Sequence, residues 1–229
     1  FTAGSLNKIT YELNLTNITQ TTIRYLQDIG WVDGKYGKAL SFDGIDDYIN
    51  IIPYEQDTSK FSSLSGTVAA WIKPLYHYPM PHSAHAWYHV GDSVVSGQYM
   101  YSAYYRYSTE LNFWLSNDTA SEGLTYNYGN LMDGNFHFIV FTWEESTKVI
   151  RLFIDGEFKA STTYTLTPTQ KNRGVWVGRA YGGEYYVHGH WFNGTIDEVR
   201  IYNRALTEEE IQFLYQEGLK KLQNSGMIQ

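Results

Sequence analysis

Along most of this chain apolar and polar residues alternate with a period of two. In "KITYELNLT", Ile9, Tyr11, Leu13 and Leu15 share one face, and Lys8, Thr10, Glu12 and Asn14 share the other. That is the pattern of a half-buried strand. "GKALSFDGIDDYINI" reads as two short strands broken at the turn dipeptide Asp43-Gly44, and "GTVAAWIKP" as a strand ended by Pro74. Residues 94–116 predict at least two more strands, rich in aromatics. "FHFIVFTWEESTKVIRLFIDGEFKAS" predicts two strands joined at Glu145-Ser146-Thr147 and a hairpin at Asp155-Gly156 into a third. "GVWVGRA" supplies a further strand.

The last long strand, within "FNGTIDEVRIYNRALTEEEIQFLYQ", contains a phase error. Val199 and Ile201 share one side of an extended chain, Ile196 falls on the other, and two carboxylates, Asp197 and Glu198, lie between them. A β-bulge inserts one residue and re-aims the side chains around it. A bulge here would keep Ile196, Val199 and Ile201 in the core and turn one acid towards a loop. One helix follows. Thr207 and Glu210 have the spacing of a capping box, and Ile211, Leu214, Tyr215 and Leu222 mark one apolar face. Gly218 reads as the end of the main helix, with "LKKL" as a frayed extension.

Many short strands and one terminal helix over residues 207–222 predict an all-β fold, a two-sheet antiparallel sandwich. Trp71, Phe138, Val140, Trp143, Leu152, Ile154, Val177, Val199 and Ile201 are its expected core. No composition shift, linker or repeat divides residues 1–229, so a single domain is expected, with residues 1–30 as its N-terminal strand and loop.

Composition narrows the function. Hydrophobic residues make up 43% of the chain, enough to fill a core, yet no apolar run approaches the length of a bilayer span. The net charge of −7, without a Lys/Arg cluster, argues against nucleic acid as a partner. The absence of cysteine removes disulfides, zinc–thiolate sites and cysteine nucleophiles. The chain begins at Phe1, which reads as a processed or excised segment. Four sequons, at Asn14, Asn17, Asn117 and Asn193, point to an extracellular or cell-surface glycoprotein. The 21 tyrosines suit strands and amphipathic contact surfaces.

Three stretches in order, "WVDGKYGKALSFDGIDDYINI", "LMDGNFHFIVFTWEESTKVIRLFIDGEFKAS" and "VWVGRA" through to the terminal helix, resemble the laminin-G-like, concanavalin A-like jelly-roll family. The resemblance implies two curved antiparallel sheets and a role as an extracellular module for carbohydrate binding or adhesion, in some members with calcium. In related domains the aspartate of the "IDEV" element lies near the "FDG.DDY" turn. Asp43, Asp46, Asp47 and Asp197 would then supply oxygens to Ca2+, with the Gly44 carbonyl beside them. The competing reading is that these acids cap turns and accept backbone amides. Two segments depart from the family: "NITQTTIRYLQDIG", and the long aromatic connection from Leu75 to Gly91.

Catalysis has little support. Glycosidases use two carboxylates about 5–9 Å apart, and neither E-x-D-x-x-E nor E-x-D-x-E occurs, nor a G-x-S-x-G elbow. His82, His85, His89, His188 and His190 lack the scaffold that would make a zinc spacing meaningful. Aromatic clusters carry more weight: Tyr76, Tyr78, Trp87 and Tyr88 in the long connection, Tyr185, Tyr186 and Trp191 in a later one. Aromatic planes pack against sugar rings while their polar tips hydrogen-bond at the edge. The chain is thus expected to be a non-catalytic module that binds a glycan or a cell-surface protein. The alternative is a structural subunit of a surface layer or filament, self-assembling through the strand near residues 8–15 by addition to a neighbour's sheet edge.

Overall fold

The computed structural model of the chain describes residues 10–12, 30–52, 64–75, 84–91, 99–106, 109–117, 119–169, 175–180 and 190–224. In chain order the strands are β1 (Thr10–Glu12), β2 (Gly30–Asp33), β3 (Lys38–Asp43), β4 (Ile49–Ile52), β5 (Gly66–Pro74), β6 (Ala84–Gly91), β7 (Tyr99–Arg106) and β8 (Glu110–Ser116). They continue with β9 (Ser121–Asn127), β10 (His137–Glu144), β11 (Val149–Ile154), β12 (Glu157–Thr163), β13 (Val175–Val177), β14 (Arg179–Ala180), β15 (His190–Trp191) and β16 (Asn193–Tyr202). One helix, α1 (Glu208–Asn224), follows.

These strands form two large antiparallel sheets, as the alternation predicts. The first runs β12-β11-β10-β5-β16-β3-β2, with β1 also on β16; the second runs β4-β13-β6-β7-β8-β9. Strands β14 and β15 make a small separate ladder. Inward residues of both sheets meet in one core, where Phe113 of β8 stacks on Phe141 and Trp143 of β10 at 5.2 and 5.1 Å. Asp155 and Gly156 both adopt positive φ, 54° and 80°, as a two-residue hairpin loop of primed type requires.

The phase error of the last strand is a bulge. Asp197 pairs with Trp71 and Arg200 with Ala69, so Glu198 and Val199 together oppose one residue of β5. Glu198 takes a left-handed φ of 48°. That extra residue keeps Ile196, Val199 and Ile201 all in the inter-sheet core.

All nine expected core residues are buried, but they divide between two clusters. Trp71, Phe138 and Val140 point away from the second sheet and form an apolar outer face with Phe153 and Tyr202. Helix α1 covers this face with Ile211 and Leu214, and Trp71 stacks on Tyr215 at 5.5 Å. The helix starts at the expected capping box: the Thr207 amide donates to Glu210 Oε2 at 2.9 Å, and the Glu210 amide to Thr207 Oγ1 at 3.3 Å. It runs through Gly218 to Asn224, as regular helix where the sequence reading has a frayed extension to residue 222. A Cβ at Gly218 would lie 2.2 Å from Tyr36 Oη, so this glycine marks where the helix presses on the sheet.

Strand β1 pairs within its own chain, Thr10 opposite Tyr202 and Glu12 opposite Arg200. Strand β3 pairs with residues 193–196 of β16, and β1 takes up the ladder beyond the bulge.

Candidate functional site

The outer face of the six-stranded sheet is built from different residues. In β8, Leu111, Phe113 and Leu115 enter the core, so Asn112 and Trp114 stand on the opposite side. Cross-strand register then aligns one rung across the face: Asn50 on β4, Trp176 on β13, His89 on β6, Ser102 on β7, Trp114 on β8 and Gly123 on β9. Gly123 leaves room for its neighbour, since a Cβ there would meet the Trp114 indole at 2.9 Å. A second rung carries Ala86, Tyr104, Asn112 and Thr125, where Thr125 Oγ1 donates to Asn112 Oδ1 at 2.7 Å. His89 and Trp176 pack ring against ring at 5.8 Å. Two buried polar atoms of the first rung, Trp114 Nε1 and Asn50 Oδ1, have no hydrogen-bond partner among the described residues.

At one end of this face lies an arginine–aromatic group. Arg179 pairs with Trp191 across the β14–β15 ladder. Its guanidinium carbon sits 4.6 Å from the Tyr48 ring centre and 4.5 Å from that of Trp191, and the two rings are 5.6 Å apart. Tyr48 follows directly on the acidic turn. There Asp43 Oδ1 accepts the amides of Ile45 and Asp46, and Asp47 Oδ2 accepts the Asp43 amide. Asp43, Asp46 and Asp47 each offer an oxygen within 4.8 Å of the others.

Asp197 does not join them. Asn193, not Asp197, is opposite Asp43, and the two aspartates lie towards opposite ends of the β3–β16 ladder. Asp197 is buried, and its Oδ2 accepts the Tyr36 amide at 2.9 Å while Oδ1 accepts the Glu198 amide. Burial pushes its carboxyl up to about 6, partly offset by those amides. The competing reading, an acid that caps a turn, is the correct one for Asp197.

Two of the aromatic candidates are also corrected. Trp87 and Tyr88 lie in β6 rather than in a loop, and both are fully buried between the sheets. The register shifts between Ala86 and Tyr88, and this bulge sends two consecutive rings into the core. Trp191 is half-buried at the rim beside Tyr48, and Tyr76, Tyr78, Tyr185 and Tyr186 lie outside the described residues. Of the sequons, Asn117 caps the β8–β9 turn through the Thr119 and Ala120 amides, and Asn193 is half-buried on β16. Asn14 and Asn17 lie outside the described residues.

Sequence reasoning missed Trp114, Tyr104, Asn112, Trp176 and Asn50. The signal was present in "ELNFWLS", where core residues alternate with a polar and an aromatic one.

Among curated proteins no sequence matches. The binding domain of Paraclostridial mosquitocidal protein 1 has the same fold, with a TM-score of 0.65 at 17% identity over 82% of this chain. The match takes up 45% of that longer chain, so the present chain spans less than half of it. Domain 4 of AbnA, an extracellular GH43 arabinanase of Geobacillus stearothermophilus solved with arabinotriose, gives 0.57 at 21% identity over 82% of this chain and 81% of its own. The CBM40 of Ruminococcus gnavus IT-sialidase, solved with α2,3-sialyllactose, gives 0.58 at 14% identity over 81% and 96%. At such identities the likeness is one of fold. The sequence profile of a laminin-G-like family, described as the concanavalin A-like lectin/glucanases superfamily, matches residues 43–212. With more than half of its length inside that match, the chain belongs to the concanavalin A-like lectin/glucanase superfamily.

Proposed function

We propose that this chain is a non-catalytic, extracellular glycan-recognition module whose ligand lies across the outer face of the six-stranded sheet. The observation that carries this reading is a pair of buried atoms on one rung with no partner among the described residues, the Trp114 N–H donor and the Asn50 carbonyl acceptor. Leaving such a group unsatisfied costs about 1–3 kcal/mol. A polyhydroxylated ligand both donates and accepts, so it would satisfy the two together, while its C–H faces pack on the half-buried Trp114 and Tyr104 rings. The rung crosses four strand spacings, roughly 19 Å, the length of a short oligosaccharide. Sugar ligands in the arabinanase and sialidase domains of like fold support the same class of partner. Among its described strand positions this face carries one carboxylate, Glu110, whereas glycoside hydrolysis uses two. The four sequons support an extracellular setting.

The acidic turn fits a calcium ion through Asp43, Asp46 and Asp47, with Asp197 excluded. Bound there, calcium would tie the turn at the rim beside Tyr48 and Trp191. Self-assembly through the N-terminal strand loses its motivation, because β1 already pairs with β16.

Retention on a panel of immobilised polysaccharides tests the main reading. Trp114→Ala should abolish retention by at least one of them while moving the melting temperature little. Retention of nothing, or equal retention of wild type and variant, sinks the proposal. For calcium, melting temperature should rise in calcium over chelator, by the equivalent of about 2.7 kcal/mol at a hundredfold excess over Kd. Asp46→Asn should erase that rise and Asp197→Asn should not. Superimposable wild-type curves in the two buffers would remove calcium from the account.

A further inference from the structure

We infer that Asn117 is a site of N-linked glycosylation, where the carboxamide nitrogen accepts an oligosaccharide from a lipid diphosphate donor, and that Asn193 is not. This rests on the extracellular setting of the proposed function and is independent of what the outer face binds.

The sequon Asn117-Asp118-Thr119 lies in the connection between β8 and β9, where Thr119 and Ala120 are exposed. The backbone of this turn is fixed without the Asn117 side chain. The Asn117 amide donates to the Ala120 carbonyl at 3.0 Å, and Ser116 Oγ donates to the same carbonyl at 3.2 Å. The Asn117 side chain joins this frame through its oxygen. Oδ1 accepts the Thr119 amide at 2.9 Å, the Ala120 amide at 2.8 Å and the Thr119 hydroxyl at 3.1 Å. Backbone amides can only meet an acceptor, so the carboxamide has one possible orientation. Its Nδ2 is left with no hydrogen bond among the described residues. Replacing one hydrogen of that nitrogen by a sugar therefore breaks no internal bond. The Thr119 hydroxyl, which completes the N-x-[ST] pattern, already lies against the carboxamide it has to accompany.

The other described sequon, Asn193-Gly194-Thr195, is built the opposite way. It lies within β16, with Asn193 opposite Asp43 of β3 and Gly194 opposite Pro74 of β5, and Thr195 is only 6% exposed. An acceptor sequon belongs on a surface loop, and of these two only the first is on one. In the transfer a bond forms between Asn117 Nδ2 and the anomeric carbon of the first sugar. The bond from that carbon to the phosphate oxygen breaks, the lipid diphosphate leaves, and Nδ2 gives up one of its two protons. The attached chain then starts beyond Ser116 and Ser121, the last pair of the β8–β9 ladder, so it borders the outer face without standing on the Trp114 rung.

The test is to secrete the chain from a eukaryotic host and map its peptides by mass spectrometry before and after peptide N-glycanase, which converts each modified asparagine to aspartate. Asn117 should be modified in most molecules and Asn193 in few. Thr119→Ala, which leaves the backbone amides of the turn in place, should abolish the modification of Asn117, and Thr119→Ser should keep it. Should Thr119→Ala fail to be secreted, the wild-type map and Thr119→Ser still decide. The melting temperature of the modified protein should be no lower than that of the enzyme-treated protein, since no internal bond is lost. A lower one would overturn the placement of Nδ2 outside the fold. The host supplies the secretory route, so an unmodified Asn117 in secreted, folded protein overturns this inference alone and leaves the extracellular reading standing. Asn193 modified as fully as Asn117 overturns the argument from the turn.

Discussion

The two sheets of this sandwich present outer faces of opposite character. On the first, the outward positions of β5 and β10 are Trp71, Phe138 and Val140, and helix α1 seals them. On the second, the outward positions of β6, β7 and β8 include His89, Ser102, Asn112 and Trp114. The same period-two backbone serves both, so the difference lies wholly in side-chain choice. An apolar outer face needs a lid, because exposed apolar area forfeits about 25 cal/mol per Å² of burial. The second face is buried as well at His89, Ser102, Asn112 and Trp176, but it is built of polar and aromatic side chains and leaves Trp114 Nε1 and Asn50 Oδ1 without a partner among the described residues. Stability should therefore concentrate on the first face and recognition on the second.

The largest effect expected from this division is on the sealed face. Trp71 touches Tyr36, Phe138 and Tyr215 at ring distances of 5.8, 5.2 and 5.5 Å. Trp71→Ala removes the centre of that stack and should cost about 3–5 kcal/mol in urea unfolding. Trp114→Ala on the other face should cost far less. Comparable losses from the two substitutions would break the division outright.

Titration gives the next effect, and it too belongs to the sealed sheet. Burial raises the Asp197 carboxyl from its ordinary 3.8 to about 6, so between those values the folded state holds more protons than the unfolded one. Stability contributed by this group falls as pH rises from about 4 to 6, by at most roughly 3 kcal/mol. Glu122, Asp133, Glu144 and Glu210 are shifted downward and pull the other way at lower pH. The isolating measurement is the difference between Asp197→Asn and wild type, which should move in favour of the variant across pH 4 to 6. A flat difference would show that the amides, not burial, govern Asp197. His137 acts in a later window. Its Nδ1 lies 2.9 Å from Asp155 and its Nε2 3.3 Å from Asp133, and the Asp155 bond raises its value from 6.5. Its contribution is full below that value and fades as pH rises through the folded one, so His137→Gln should cost less in alkaline than in mildly acid buffer.

Much of the fold was legible in the sequence because strands and caps are local. The broken alternation at Asp197-Glu198 announced the bulge, and Thr207 with Glu210 announced the helix start. The site was legible only in part. Asn50, Trp176, His89, Ser102 and Trp114 come from five strands, and only the sheet order brings them onto one rung. Trp87 and Tyr88 were misread because a proline- and histidine-rich stretch leads into β6 and its bulge breaks the alternation. The acids of the "FDGIDDY" turn did cluster, since four-residue spacing in a turn is a local property. Asp197 did not, since its place depended on the register of β16 against β3.

The smallest expected effect sharpens the comparison most, because two terms of opposite sign meet at Gly218. Within a helix, alanine is favoured over glycine by about 1 kcal/mol. On the sealed face, however, the new Cβ would lie 2.2 Å from Tyr36 Oη, 3.1 Å from Tyr36 Cζ and 3.2 Å from Trp71 Cζ2. Tyr36 is buried and packed edge-on against Trp71, so its ring has little freedom to withdraw. Overpacking of this kind costs about 1–3 kcal/mol, which outweighs the helix preference and leaves Gly218→Ala destabilised by roughly 1 kcal/mol. Tyr36→Phe removes the nearest atom, so the two substitutions should couple: Gly218→Ala should be milder when Tyr36→Phe is already present. Additive effects would mean that Tyr36 swings aside. A stabilised Gly218→Ala would mean that the helix rides higher on this face than the close contact implies.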